Sequence, residues 1–193
     1  MWLKKRTSWI MARCRLSKGG NEMENIKDRA VFFCCKKYDY QHLHEDEEKA
    51  NLIIGSFLDC EIIDRCFDYS ECEHFYRRYM MKCLLEKLMR FKVLVVSDFK
   101  GISQSEIERK VFAATLALFD AKVVQINGMN TLESDPEYEA FVKNKIQEIR
   151  EKDPISVDGY SSYAGTEIFI GNVVRGMIAA SRELERIEAM KNI

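Results

Sequence analysis

Five basic side chains in this sequence could meet an anion, and one acid could accompany them. Lys36 and Lys37 follow an apolar run, Arg77 and Arg78 open a helical pattern, and Lys100 lies in the loop after Val93-Leu94-Val95-Val96. Asp68 begins a polar stretch that runs to Glu73. If their loops share one end of a sheet, Lys36, Lys37, Asp68 and Lys100 line a crevice suited to an anionic metabolite or nucleotide. Arg77-Arg78 could bind a phosphate at a helix start, or be solvated, or pair with Asp68. Cys34-Cys35 could be a redox pair, or Cys35 a nucleophile whose thiolate Lys36 and Lys37 favour; the plain alternative is a buried cysteine at a strand end. The five-residue gaps between Cys60, Cys66 and Cys72, with His74 beyond, lack the close pairs of structural zinc, so no metal site is expected. His42 and His44 read as solvated, and nothing calls for a cofactor.

The elements that must position these groups follow from apolar spacing. Arg29 to Cys35 is a run of strand length with no polar alternation after Arg29, as in a strand covered on both faces. Lys36 to Gln41 is a polar loop. Leu43 to Leu58 reads as a helix, with Glu45, Asp46, Glu47 and Glu48 toward its amino end and Leu52, Ile53 and Phe57 as its stripe. Cys60 to Ile63 is a second strand, and the spacing of Phe75, Tyr79, Cys83, Leu84 and Leu88 predicts a helix over His74 to Met89. Val93 to Val96 is the third strand. Its loop opens a helix over Gln104 to Phe119, capped by Ser103 or Ser105. Lys122 to Ile126 is a fourth strand, ended by Asn127-Gly128. Strands alternating with helices of this length mean βαβ units and a largely parallel sheet, whose loops at the strand carboxyl ends carry the chemistry.

The last third is helical. Ser134-Asp135-Pro136 starts a helix that Asp153-Pro154 stops. Thr166 onward is one long helix in which Ile170, Val173, Met177, Ala180, Leu184 and Ile187 are spaced three, four, three, four, three. That narrow seam suits packing on another helix, in the same chain or a partner.

Composition bounds the reading. With 193 residues, 47% apolar and 32% charged, this is one ordinary globular domain or a domain with an addition. No apolar run is long enough to cross a bilayer, so no membrane partner is expected. The net charge of −1 argues against a strongly basic nucleic-acid wrapper. Seven cysteines without paired spacing suggest reduced thiols in a cytoplasmic protein. Residues 1–22 carry six lysines and arginines against Glu22 alone and form no usable signal peptide. Lys18-Gly19-Gly20, just ahead of Met23, can be encoded by the purine run of a bacterial ribosome-binding site, so residues 1–22 are expected to be a non-native or disordered extension. A basic amphipathic arm is the alternative.

In the order of its motifs the chain resembles the catalytic domain of serine site-specific recombinases, the resolvase/invertase family. That family begins with an apolar strand and an Arg-x-Ser loop that continues toward a Gln, as Ala30 to Gln41 does here. An Asp after the second strand and an Arg ahead of a Leu-Leu pair match Asp68, Arg78 (or Arg77) and Leu84-Leu85. A Val-Leu-Val-Val strand leading into Asp-Arg-Leu-x-Arg is similar to Val93 to Gln104. A long helix of Glu-Arg-Glu flavour, used for dimer contacts and for reaching the DNA minor groove, resembles Ala180 to Ile187. Asn127 to Arg150 could instead be that long helix. The resemblance covers Arg29 to Ile126 well and the tail loosely, and no helix-turn-helix or zinc ribbon follows.

The departures fall on the chemistry. Lys37 occupies the position of the nucleophilic serine and Cys35 that of the arginine two before it; Lys100, Gly101 and Gln104 replace an Asp and two arginines. Serine attack on a DNA phosphodiester needs a group that forms and releases a phosphoester, and guanidiniums that neutralise the phosphorane. A lysine cannot form that ester, and the bidentate phosphate donors are gone. Gln41, Asp68 and Arg78 are the retained family-like positions. The resemblance thus implies a three-layer α/β sandwich with a central, mostly parallel sheet of four or five strands, helices on both faces and a long carboxy-terminal helix. It divides into a resolvase-like domain over 23–130 and a helical extension over 131–193. Its expected role is a binding or regulatory module without strand-exchange activity, whose partners are DNA, itself, or an intact recombinase through Thr166 to Ile193. The alternative is a small cytosolic anion- or nucleotide-binding enzyme on a flavodoxin-like sheet.

Overall fold

A computed structural model of the chain describes residues 28–35, 40–56, 58, 60–69, 74–75, 79–88, 90–152 and 163–191. Five strands form one sheet in the order β2-β1-β3-β4-β5. They are β1 (Asp28–Cys35), β2 (Cys60–Asp68), β3 (Val93–Val96), β4 (Lys122–Gln125) and β5 (Thr131–Leu132). The first four are parallel, and β5 closes the far edge antiparallel to β4. The helices are α1 (Tyr40–Ser56), α2 (Tyr79–Glu86), α3 (Glu106–Ala117), α4 (Pro136–Lys152) and α5 (Tyr163–Lys191).

The apolar runs of β1 and β3 feed both faces of the sheet. Ala30, Phe32, Cys34, Val93 and Val95 point toward α1 and its Ala50, Ile53 and Ile54. Val31, Phe33, Leu94 and Val96 point the other way, into a core with Leu84, Leu85, Val111 and Phe112. On that second face α5 packs against α2 and α3, while α4 packs against α3 and α5. Four seam residues of α5, Ile170, Val173, Met177 and Ala180, are at most 3% exposed and belong to this same core. The seam therefore packs within the chain along that length, and Val142 of α4 joins it. Gly176 lets the two helices close up: a Cβ there would lie 3.0 Å from the Cα of Ile146.

Three elements differ from their sequence boundaries. Spacing ends the second strand at Ile63 and leaves Asp68 in the loop beyond, but β2 runs to Asp68. It does so because its charges find partners on either face. Arg65 Nε lies 2.5 Å from Glu47 Oε1 of α1, and Asp64 pairs with Lys87 just past α2. A bulge at Ile63 absorbs the extra residue, since Ala30 pairs with Ile62 and Val31 with Asp64. The helix expected from His74 begins only at Tyr79. The helix expected from Leu43 begins at Tyr40, which moves Gln41 from a loop into the first turn of α1.

Candidate functional site

In a sheet of this order the chain reverses direction between β1 and β3, and a crevice forms beyond their carboxyl ends. Three predicted positions converge on that rim. Cys35 ends β1 and pairs in register with Asp68, which ends β2. The loop after β3 forms a short 3₁₀ turn, Phe99–Gly101, beside Cys35. Gly101 comes so close that a Cβ on it would sit 3.4 Å from the Cβ of Cys35. Asp98 sets the turn by accepting from the Lys100 N–H at 2.7 Å, and Gln125 Oε1 accepts from the Phe99 N–H at 3.4 Å. Ser97 Oγ donates to Cys34 Sγ at 3.2 Å across the reversal point.

Asp68 is 3% exposed, whereas Lys100 and Gln104 lie on the surface. Lys37, Arg78, Lys36 and Arg77 fall outside the described residues, as does the side chain of Gln41. The rim thus brings together Cys35, Asp68, Lys100 and Gly101. Two cavities among the described residues lie at the opposite end of the sheet. One, of about 410 Å³, is lined by Asp28, Lys92 and Lys122 among others; its neighbour, of about 290 Å³, is lined by Ala113, Thr131 and Ser134 among others. No group of three or more metal-ligating side chains occurs among the described residues. No described helix is long and apolar enough to cross a membrane.

The most densely bonded polar group near the rim is one that motif spacing does not single out. Glu108, 1% exposed in the first turns of α3, accepts from Ser103 Oγ at 2.5 Å, from His74 Nδ1 at 2.6 Å and from the Phe75 N–H at 3.4 Å. Ser105 is the helix cap: its Oγ accepts from the Glu108 N–H at 3.3 Å, and the Ser105 N–H donates to Ser103 Oγ at 3.0 Å. Ser105-x-x-Glu108 is the spelling of a capping box. Here the carboxylate, which in such a box turns back to the cap N–H, instead holds the segment ahead of α2. Ser105 Oγ also donates to Glu185 Oε1 at 3.3 Å, which ties α5 to the same corner. The spelling is the signal that could have found it.

No protein-family model matches the chain, and no curated protein does. Two solved structures of similar fold are serine recombinase catalytic domains. One is the N-terminal catalytic domain of TP901-1 integrase: 12% identity, TM-score 0.45, 66% of this chain and 99% of that one covered. The other is the C-terminal catalytic domain of ISC1926 TnpA, an IS607-like serine recombinase: 12% identity, TM-score 0.45, coverage 74% and 95%. Both are likenesses of fold.

Proposed function

We propose that this chain is a serine-recombinase-type domain that retains a DNA-facing rim but has lost strand exchange, and that it works as a binding or regulatory module. The motif order from Ala30 to Gln104 supports the family. What supports the loss of chemistry is the residue types at Cys35 and Gly101. These two positions would hold arginines in the family's pattern. Here one is a glycine and the other, beside it, a half-buried thiol. Neither presents a guanidinium, and a lysine stands where the hydroxyl nucleophile would be. Phosphoryl transfer without those donors forgoes several kcal/mol of transition-state stabilisation, on the order of 3 kcal/mol per contact. Binding survives such losses better than catalysis, because Lys36, Lys37, Arg77, Arg78 and Lys100 still supply charge in this part of the chain.

The partners on this reading are DNA and a second recombinase-type subunit, reached through the distal part of α5, where the seam leaves the core and Met190 is 57% exposed. The test is fluorescence anisotropy on labelled duplex DNA across a salt series. Affinity that falls steeply with salt supports the reading; no binding at low salt overturns its DNA arm. A cleavage assay on the same duplex is expected to give neither nicks nor a protein–DNA adduct.

A further inference from the structure

Away from the rim, the Asp64–Lys87 ion pair fixes how α2 lies on β2, and through that it fixes the position of two thiols. Asp64 and Cys66 are two apart on β2, so both face α2, with Cys66 about 6.6 Å further along the strand. Lys87 stands in the turn that directly continues α2, closed by its N–H on the Leu84 carbonyl at 3.0 Å, and Cys83 lies four residues back, about one helical turn along the axis. The crossover runs α2 antiparallel to β2, so both steps go the same way. With Lys87 seated on Asp64, Cys83 is seated over Cys66. Cys66 is completely buried and Cys83 is partly open to solvent.

The electrostatics agree with this placement. Burial pushes the Cys66 thiol up, while the Lys87 ammonium opposes that push and Asp64 and Cys83 add to it. Lys87 in turn, raised chiefly by its bond to Asp64, also feels Cys66 and Cys83. The Lys87 ammonium therefore lies close to both sulfurs. Burial keeps Cys66 from ionising readily, and Cys83 is the sulfur that solvent reaches, so Cys83 is the first to meet an oxidant.

We propose that Cys66 and Cys83 are an oxidisable pair that closes into a disulfide between β2 and α2 on exposure to a hydroperoxide. In the first step the Cys83 thiolate attacks the terminal peroxide oxygen and breaks the O–O bond. The sulfur becomes a sulfenic acid, and the peroxide leaves as water or an alcohol once protonated. In the second step the Cys66 thiolate attacks the Cys83 sulfur, the S–O bond breaks, and the hydroxide takes up a proton to leave as water. Two thiols and one hydroperoxide give one disulfide, one water and one alcohol, or two waters from hydrogen peroxide. The ring so closed contains Asp68, Arg77 and Arg78.

The test is treatment of the full-length reduced protein with hydrogen peroxide, followed by thiol counting and peptide mapping after trypsin. The expected result is loss of two thiols and a reducible peptide joining Cys66-Phe67-Asp68 onward to Cys83-Leu84-Leu85-Glu86-Lys87. Fragmentation places the bond on Cys66, not Cys72. C83A should abolish the cross-link, and C66A should leave a sulfenic acid on Cys83 that a dimedone-type probe traps. Lys87→Met should slow closure several-fold. A disulfide joining any other pair, or retention of every thiol while Cys83 still reacts with iodoacetamide, overturns the proposal; the second outcome would mean that the two Cα atoms stand too far apart to bridge.

Discussion

Removal of the Glu108 carboxylate should damage this fold more than removal of any surface charge, and the size of the effect follows from its bonds. The carboxylate is 1% exposed and accepts two short side-chain bonds, from Ser103 and His74, with a longer one from the Phe75 N–H. Hydrogen bonds to a charged group contribute about 1.5–3 kcal/mol each, and a buried donor left unpaired costs about 1–3 kcal/mol. Glu108→Ala orphans the Ser103 hydroxyl, which the enclosing core keeps from water, and releases His74, which can turn outward. The expected loss is therefore about 3–5 kcal/mol. With a urea m-value of about 2 kcal/mol/M, the unfolding midpoint should fall by roughly 2 M. Glu108→Gln keeps the volume and one acceptor, so it should lose about half as much. A double-mutant cycle with His74→Ala isolates the imidazole's share, and the coupling should reach about 1 kcal/mol. A Glu108→Ala midpoint within about 0.5 M of wild type would refute the reasoning, since it would mean the carboxylate is hydrated in solution.

Other expectations follow from single contacts. Asp64 is held below the usual carboxylate range, first by its bond to Lys87, so that pair stabilises above about pH 4 and the benefit disappears as pH falls through the depressed value. Both side chains are about a third exposed, which limits the effect to about 1 kcal/mol or less; urea midpoints of Asp64→Asn and wild type should converge between pH 4 and pH 2. Gly176→Ala gains about 1 kcal/mol of helix propensity, yet its Cβ would press on the backbone of Ile146. A net loss of about 1–2 kcal/mol, read as a lower Tm, is expected. Arginine restored together at Cys35, Gly101 and Gln104 should steepen the salt dependence of DNA binding by about 0.9 in log–log slope for each phosphate contact regained. No adduct should form, because Lys37 remains.

Much of the sheet is legible in the sequence because β1 and β3 bury both faces, and a short uninterrupted apolar run between polar loops fits little except a covered strand. The strands that spacing misjudges or omits are the two edges. β2 alternates charge with apolar groups, and its continuation past Ile63 depends on Glu47 and Lys87, residues distant in sequence. β5 has two residues and exists only because β4 offers them a partner. Helix starts are misplaced for a related reason. The stretch at His74-Phe75 has helical spacing, but Glu108 claims its donors, and neither residue is in the α-helix described from Tyr79. At the rim, the sequence reading lines one crevice with Lys36, Lys37, Asp68 and Lys100, of which Asp68 and Lys100 are among the described residues. Nothing in the spacing could tell that the loop would rest on Cys35, since that depends on a side chain being absent.

The packing at this rim also bears on the proposed loss of phosphate-binding groups. A sheet reversal point filled by guanidiniums needs anions or water to satisfy them, and it strains the fold when empty. Here the same point is closed by backbone. Asp98 and Gln125 bond the turn from its two sides, Gly101 lies against Cys35, and Ser97 reaches Cys34. On the proposed reading, an arginine at Cys35 or Gly101 would add a half-buried charge at this point that the domain would have to compensate. Arginine restored at Gly101 alone should accordingly lower the Tm while raising DNA affinity. If it raised both, the rim would be an occupied site and not a closed one.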